Sequence, residues 1–358
     1  MPRNTPDQIV VVHISDPHFG EVLLNPKTRI LSGFGCHHVT LCKALYGALQ
    51  EVRATTGLGD EEPFHLVMSG DLTSAGVPSE FFVGHAYFQS RNPDEYETFP
   101  PIQMTGLGLP LSVISMVPGN HDHWYGRWVW PFHRGYSPQL FPDWFCPTPW
   151  MRSIVSTHGG IQLDIVGIDS SSGLKTAPFN LNPFAGGALS REEIDGQFDN
   201  AGNRVRDGLT HKLDLSLQAS PADDRVQKRT RAIICHHALT RDGVAQPLDP
   251  HSALELVKLA SAKSVAAILT GHTHKADQFP YGPSKQPDLP NQVWEIRSPR
   301  TLMGPAKREK RGLAPGFWVH QIRVSGDDAN LNWFARLFLL HKGRFAWSQG
   351  GAGFAFPI

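Results

Sequence analysis

Five apolar runs of strand length in this chain stop abruptly at Asp, His or Asn, and that recurrence constrains the fold more than any other feature. "IVVVHI" (9–14) is followed by Asp16 and His18, "FHLVM" (64–68) by Asp71, and "LSVISMV" (111–117) by Asn120, His121 and Asp122. "RAIICH" (231–236) ends on His236 with His237 next, and "VAAILT" (265–270) leads into His272 and His274. Between them lie helix-like stretches at 38–53, 79–90 and 250–262. The last carries apolar Leu254, Val257, Leu259 and Ala260 behind a cap at Asp249 or Ser252. Strands alternating with helices predict a layered α/β fold with buried strands. Ligands in such sheets collect at the loops beyond the strands' carboxyl ends, so these five strand ends predict a single shared site.

A second group of apolar stretches, 160–169, 292–297, 316–324 and 330–340, is not separated by helices, which predicts an antiparallel sheet completing a sandwich. Residues 171–209 are rich in Gly, Ser, Asn and Asp. They read as a loop excursion with one short helix from Ser190, where "SREE" resembles a capping box. Residues 124–150 hold five of the nine tryptophans and read as an aromatic-rich loop insertion forming a satellite hydrophobic cluster. The sharper alternative for that loop is a wall over the site or a subunit contact. No internal repeat is evident. With 358 residues and 40% apolar content, the chain is read as one domain, 1–358, carrying these two insertions.

Bulk properties exclude several classes. Lys+Arg and Asp+Glu are equal at 33 each, so no overall positive charge draws the chain to nucleic acid, and any phosphate affinity must be local. Four irregularly spaced cysteines read as reduced thiols rather than a disulfide framework. The start, "MPRNTPDQIVVVHISD", lacks the features of a signal peptide, and no run approaches the length of a membrane span. The expectation is a cytoplasmic protein without membrane contact. Nucleic acid is a disfavoured partner, and homo-oligomerisation is left open.

Carboxylate and amide oxygens together with imidazole nitrogens suit Mn, Fe or Zn. In extended backbone the i, i+2 spacing of Asp16/His18 and of His272/His274 sends each pair to one side. Two carboxylates, one amide and four histidines suffice for two metal ions if one carboxylate bridges. Two such cations, roughly 3.5 to 4 Å apart, would support in-line displacement at phosphorus.

The ordered set D-x-H, G-D, G-N-H-D, H and G-H-x-H, spread over residues 16–274, resembles the calcineurin-like metallophosphoesterase superfamily. The resemblance implies a four-layer α/β/β/α sandwich of two mixed sheets flanked by helices. It also implies a ligand set: Asp16, His18 and His274 for a first metal, Asn120, His236 and His272 for a second, with Asp71 bridging. His121 matches the family's catalytic histidine, which is not a ligand, and the implied nucleophile is a hydroxide held between the metals. Asp71 is followed by "LTSAGVPSEF" and not by the Asp-Arg-Gly run of Ser/Thr protein phosphatases, which argues against that branch. "HISDPHFG", "SGDLTSAG", "VPGNHDHW" and "GHTH" are similar to the class III cyclic nucleotide phosphodiesterase and glycerophosphodiesterase branch. The expectation is therefore an enzyme that cleaves small phosphodiesters, with cyclic nucleotides among its candidate substrates. The alternatives are a phosphomonoesterase or nuclease on the same site, and, from another class, a metal-binding scaffold without catalysis.

The remaining polar residues divide by weight. Asp122 is carried as a catalytic candidate that orients an imidazole, with helix capping as the structural alternative. His13 reads as a satisfied structural histidine and His123 as second-sphere or exposed. His237 reads as the member of its doublet that orients neighbours or faces substrate. Cys36, His37, His38 and Cys42 match no strong zinc spacing, and Cys235 should point away from the metals. The basic runs 225–231 and 307–311 read as solvated loops, and Arg297 and Arg300 are weak candidates for phosphate contact.

Overall fold

β1 (Gln8–Ile14) is buried along its whole length, and the alternation of its side chains sets the layering. Val10, Val12 and Ile14 pack toward helices, whereas Ile9 and Val11 pack toward a second sheet. A strand covered on both faces reads as a continuous apolar run for this reason. The structure is a computed structural model and describes residues 7–19, 39–58, 64–74, 76, 78–90, 106–123, 145–173, 187–218, 224–239, 247–302, 314–325, 330–348 and 353–358.

The first sheet places β1 between β12 (Gly316–Ser325) and β2 (His65–Met68) and continues to β3 (Ile114–Met116) on one side. On the other it runs through β13 (Asn330–His341) to β14 (Arg344–Trp347), with β15 (Gly353–Pro357) also paired to β13. β1, β2 and β3 run parallel, and β12 is antiparallel to β1 with Gln8 opposite Arg323. The second sheet has the order β10 (Asp277–Tyr281), β11 (Val293–Arg297), β9 (Ala267–Thr270), β8 (Lys228–Ile234), β5 (Ile161–Gly167), β4 (Trp150–Val155). Its four inner strands are parallel and its two edge strands antiparallel.

Three apolar clusters separate four layers. α1 (Val39–Thr56) and α2 (Pro78–Gln89) cover the first sheet through Leu45, Leu49, Phe81 and Phe88. The two sheets face each other across Ile9 and Val11 of β1, Leu163 and Ile165 of β5, and the indoles of Trp318 and Trp333. α4 (Leu209–Gln218) and α5 (Pro250–Ala262) cover the second sheet through Leu213, Leu256 and Val257. The result is an α/β/β/α sandwich of two mixed sheets. Asp249 caps α5 by accepting from His251 N and Ser252 N, the first of the two caps expected for it.

Sheet membership differs from the sequence expectation. The sequence groups β5 and β11 with the antiparallel stretches, but both join β8 and β9 in parallel. The polar excursion is also more ordered than expected. Beyond α3 (Arg191–Asp195) it holds a hairpin of β6 (Gly196–Phe198) and β7 (Arg204–Asp207). Ser190 does accept from Glu193 N (3.1 Å), but Glu193 does not return the bond as a capping box requires. Its carboxylate accepts from Asp169 N (2.8 Å) and pairs with Arg206 (2.9 Å), while Ser190 N donates to Ser172 Oγ (3.0 Å). The excursion is thereby tied to the end of β5.

Residues 124–144 of the aromatic stretch, 174–186 of the polar one, Cys36, His37, His38 and the basic run 307–311 lie outside the described residues. The described end of the aromatic stretch places Phe145 in the helix-side core against Phe81, with ring centroids 5.7 Å apart. The basic run 225–231 is no solvated loop at its end. Within β8, Arg229 pairs with the buried Asp164 (2.7 Å) and Arg231 Nε donates to Ser216 Oγ (2.9 Å).

Candidate metal centre

Backbone hydrogen bonds lace the loops leaving β1 and β2 together, and this fixes where their side chains point. Asp16 N donates to Gly70 O (3.1 Å), His18 N to Asp71 O (3.1 Å) and Ser74 N to Phe19 O (2.9 Å). The second sheet joins from the other side: His272 N donates to Asp16 Oδ2 (3.0 Å) and His236 Nδ1 to Ser69 O (2.8 Å). Asp16, His18, Asp71, His272 and His274 all adopt positive φ, between 49° and 66°, and make up five of the seven described non-glycine residues that do so. Each left-handed residue of this kind costs about 1–2 kcal/mol, and such strain collects where the surroundings over-determine the geometry.

The seven residues expected as ligands converge. In one cluster Asp16 Oδ1 lies 3.3 Å from His274 Nε2 and 3.7 Å from His18 Nε2, and the two imidazole nitrogens are 3.4 Å apart. In the other, His236 Nε2 lies 3.1 Å from Asn120 Oδ1 and 3.1 Å from His272 Nδ1. Asp71 Oδ2 stands between the two, 3.8 Å from His18 Nε2 and 3.3 Å from His236 Nε2. Its other oxygen, Oδ1, accepts from His121 N (2.9 Å), which holds the carboxylate in this orientation.

These donors fit metal ions. Asp16 Oδ1 is buried and has no hydrogen-bond partner among the described residues, and both carboxylates are essentially inaccessible. Two buried anions this close require positive charge beside them. In each cluster imidazole nitrogens face one another at hydrogen-bond distance, an arrangement suited to sharing a cation. Groups of three potential ligand atoms within 4.8 Å of one another include Asp16–His18–His274 and Asp16–Asp71–His236.

The electrostatics report the same demand. Burial would raise Asp16, but His274 and His18 hold its carboxyl well below the usual carboxylate range. Burial opposes the shift at Asp71 too, and there His236 and His121 win. Burial would lower His236, yet Asp71 raises it to about 9. His272, buried and beside His236, falls to about 3.

His121 has a defined tautomer. Its Nδ1 donates to Ser74 O (2.7 Å), so in the neutral ring Nε2 carries no hydrogen, and it lies 3.8 Å from Asp71 Oδ2. Burial lowers its pKa to about 4, against the pull of Asp71. His121 also falls in a three-residue group with His18 and Asp71. Sequence reading missed Ser74, and no residue type signals it, because the contact is a backbone carbonyl.

Asp122 plays a different part from the one expected. It accepts from Gly119 N (2.9 Å), Leu72 N (3.2 Å), Thr73 N (2.9 Å) and Thr73 Oγ1 (2.8 Å), and none of these contacts is an imidazole. It therefore clamps the loop after β3 onto the loop after β2, and so holds Ser74 where His121 needs it. Burial and the nearby Asp71 raise its pKa to about 6.

Other candidates settle as follows. His123 is buried, not exposed, with Nε2 3.3 Å from Asp169 Oδ2. His237 approaches His236 and His272 closely enough to form a potential ligand group, but Ser170 decides its tautomer. Ser170 Oγ accepts from His236 N (3.2 Å) and His237 N (3.1 Å), so its own proton goes to His237 Nδ1 (2.8 Å). Nε2 then carries hydrogen and cannot ligate. Cys235 packs on the helix side of the second sheet, away from the centre, as expected. Arg297 is buried, pairs with Glu295 (2.8 Å) and lies over Phe279 (4.2 Å), so it holds β11 rather than a phosphate. Arg300 is fully buried and bridges to Ser15 through the backbone.

Among the described residues no helix is long and apolar enough to cross a membrane. No functionally curated protein matches the chain. Among solved structures it is similar to the calcineurin-like phosphoesterase YfkN from Bacillus subtilis, at 10% identity and a TM-score of 0.36, over 96% of this chain and 89% of that one. A family model described as calcineurin-like phosphoesterase matches residues 9–276, a span that opens in β1 and holds all seven candidate ligands from Asp16 to His274. With a match across about three quarters of its length, the chain belongs to the calcineurin-like phosphoesterase family.

Proposed function

We propose that the chain hydrolyses phosphodiesters with two metal ions, one held by Asp16, His18 and His274, the other by Asn120, His236 and His272, with Asp71 shared. The observation that carries this reading is the position of Asp71 Oδ2, within 3.8 Å of His18 Nε2 and 3.3 Å of His236 Nε2. When bound, the cations supply charge for the phosphoryl oxygens and lower the pKa of an attacking water. Mn, Fe and Zn suit the donors.

His121 supplies the proton chemistry. With Nδ1–H committed to Ser74 O, Nε2 is the atom that takes a proton and passes it to the leaving oxygen. Burial outweighs the pull of Asp71 and of the Ser74 carbonyl and holds the pKa at about 4, so the ring rests neutral and any proton it takes at Nε2 is readily given up. Asp122 and Thr73 keep that carbonyl in place.

A diester is favoured over a monoester on charge. None of the eight side chains in the centre is Lys or Arg, so these eight offer no fixed cation to the second negative charge of a monoester. The departure from the protein-phosphatase motif after Asp71 agrees, and cyclic nucleotides are the leading candidates. Free, buried Cys42 and Cys235 support a reducing compartment, and the same reading places the protein in the cytoplasm with a small phosphoester as its partner.

The test crosses Mn, Fe and Zn with a generic aryl monoester, a generic aryl diester and 3′,5′- and 2′,3′-cyclic nucleotides. Faster turnover of the diester or of a cyclic nucleotide is expected. Equal or better turnover of the monoester would overturn the diester assignment.

A further inference from the structure

Two histidines sit where the fold calls for aliphatic side chains. His13 on β1 and His320 on β12 are both fully buried. By strand alternation His13 shares its face with Ile9 and Val11, which pack between the two sheets. The two rings stack with centroids 5.7 Å apart. Trp333 Nε1 donates to His320 Nδ1 (3.0 Å), and an indole only donates, so His320 carries its hydrogen on Nε2. His13 Nε2 is hydrogen-bonded to Ser69 Oγ (2.9 Å). The other nitrogen of each ring, His13 Nδ1 and His320 Nε2, has no hydrogen-bond partner among the described residues. Burial holds both imidazoles below their usual range, so neither serves as a buried charge.

Half-satisfied polar groups in an apolar core lower stability relative to a packed hydrocarbon of the same shape. What they gain here is contact with Ser69. That residue directly follows β2 and supplies the carbonyl to which His236 Nδ1 donates (2.8 Å). The next residue is Gly70, with φ +97°, and a peptide beside a glycine is the easiest to rotate. Anchoring the Ser69 side chain restrains that peptide. A line of contacts thus crosses the first sheet from Trp333 through His320, His13 and Ser69, then passes to His236 on the second sheet.

We infer that His13, braced by His320 and Trp333, is a positioning residue for the second metal: it fixes Ser69, whose carbonyl aims His236 Nε2. The inference rests on the two-metal reading of the site. Partners of a ligating histidine's far nitrogen typically tune metal affinity by 10- to 100-fold, and His13 acts one residue further out, through the side chain of the residue that supplies that partner.

The experiment titrates metal-free protein with Co(II), followed by calorimetry and by the visible bands of the bound ion, in wild type, Ser69→Ala, His13→Phe, the double variant and His13→Gln. Each single variant should keep one Co(II) equivalent at wild-type affinity and weaken the other about 10-fold or more. The melting temperature of the metal-free protein should stay the same or rise in His13→Phe, since an unpaired nitrogen is removed from the core. The double variant should bind no more weakly than the singles, because both break one path. Gln, which keeps a group able to bond Ser69, should recover part of the loss. Unchanged affinity for both equivalents in Ser69→Ala, a variant that keeps the backbone and the fold, would overturn the inference even if His13→Phe did not fold. So would additive losses in the double variant. Fewer than two equivalents in the wild type would overturn the two-metal reading and this inference with it, and the use of no substrate keeps both results separate from the diester assignment.

Discussion

Replacing Gly119 with alanine should disable the centre without altering any of its eight side chains in sequence. A Cβ on Gly119 would lie 2.1 Å from Asp71 Oδ1, 2.4 Å from Asp71 N and 2.8 Å from Asp71 Cγ, where ordinary contact begins at 3.4 Å. Rotating the carboxylate relieves only part of this, because one of the clashing atoms is backbone. The backbone itself is poorly free to yield, since Asp71 has φ 53° and its carbonyl accepts from His18 N. The loops after β2 and β3 must therefore separate by about 1 Å, which stretches the bond from His121 N to Asp71 Oδ1 (2.9 Å) beyond useful range. Overpacking of this kind costs about 1–3 kcal/mol, and a lost hydrogen bond to a charged acceptor adds about 1.5–3 kcal/mol. A displacement of about 1 Å between reacting groups lowers turnover on the order of 100-fold. The assay is threefold: melting temperature of the metal-free protein, metal stoichiometry, and turnover of an aryl diester at saturating metal. Gly47→Ala is the control, because Gly47 lies within α1 and an added Cβ meets nothing within 4 Å. It should stabilise the protein by about 0.5–1 kcal/mol through helix propensity and leave turnover alone. Gly119→Ala protein with two metals, an unshifted melt and wild-type turnover would refute the steric reasoning.

Two further predictions follow from the site and its surroundings. Asn120→Ala should lose the second metal and activity together, whereas His121→Ala should keep both metals by stoichiometry and lose turnover; full activity in His121→Ala would remove it from the proton step. Glu193, pushed up to about 7 by burial and by Asp169, binds its proton more tightly in the folded state, so its stabilising effect is complete below about 4.5 and is lost as pH rises through 7. A carboxyl moved from 4.5 to about 7 corresponds to about 3 kcal/mol. Glu193→Gln should therefore match wild type near pH 5 and melt at a higher temperature near pH 8, in chelator-treated protein so that metal loss does not enter. A variant less stable than wild type at pH 8 would show that the Arg206 pair outweighs the burial penalty.

The strands that carry the candidate ligands were legible in the sequence because burial on both faces writes them as unbroken apolar runs with a polar stop. Their partners were not. β1 pairs with β12, which places Gln8 opposite Arg323, and no local periodicity encodes a contact so distant in the chain. β5 and β11 fall into the wrong expected group for the same reason: their neighbours in sequence are not their neighbours in the sheet. The β6–β7 hairpin stayed hidden because its residues are largely exposed and polar, so neither face alternates. The residues that orient His121 were illegible for a different reason. Its direct partner is the Ser74 carbonyl, which any residue supplies, and Asp122 reaches it only by way of backbone amides and Thr73.

The five candidate ligands with a left-handed backbone give no local sign of it, since Asp and His commonly adopt other conformations, but the glycines of the motifs do leave a trace. Added to Gly70, a Cβ would stand 2.5 Å from His236 Nδ1; to Gly119, 2.1 Å from Asp71 Oδ1; to Gly271, 2.8 Å from Asp16 Oδ2 and closer still to Ser15 Oγ. Each glycine therefore makes room for a candidate ligand, or the residue beside it, that belongs to a different motif. The glycine of "SGD" admits the histidine of "CHH", that of "PGNHD" admits the aspartate of "SGD", and that of "TGHTH" admits the aspartate of "ISDPH". The motifs are thus sterically interlocked: a side chain at any one of these glycines displaces a candidate ligand supplied by another loop. This is why the short patterns carry weight as an ordered set that none carries alone, and why a substitution at a motif glycine should be read at the side chain it faces rather than at its own position.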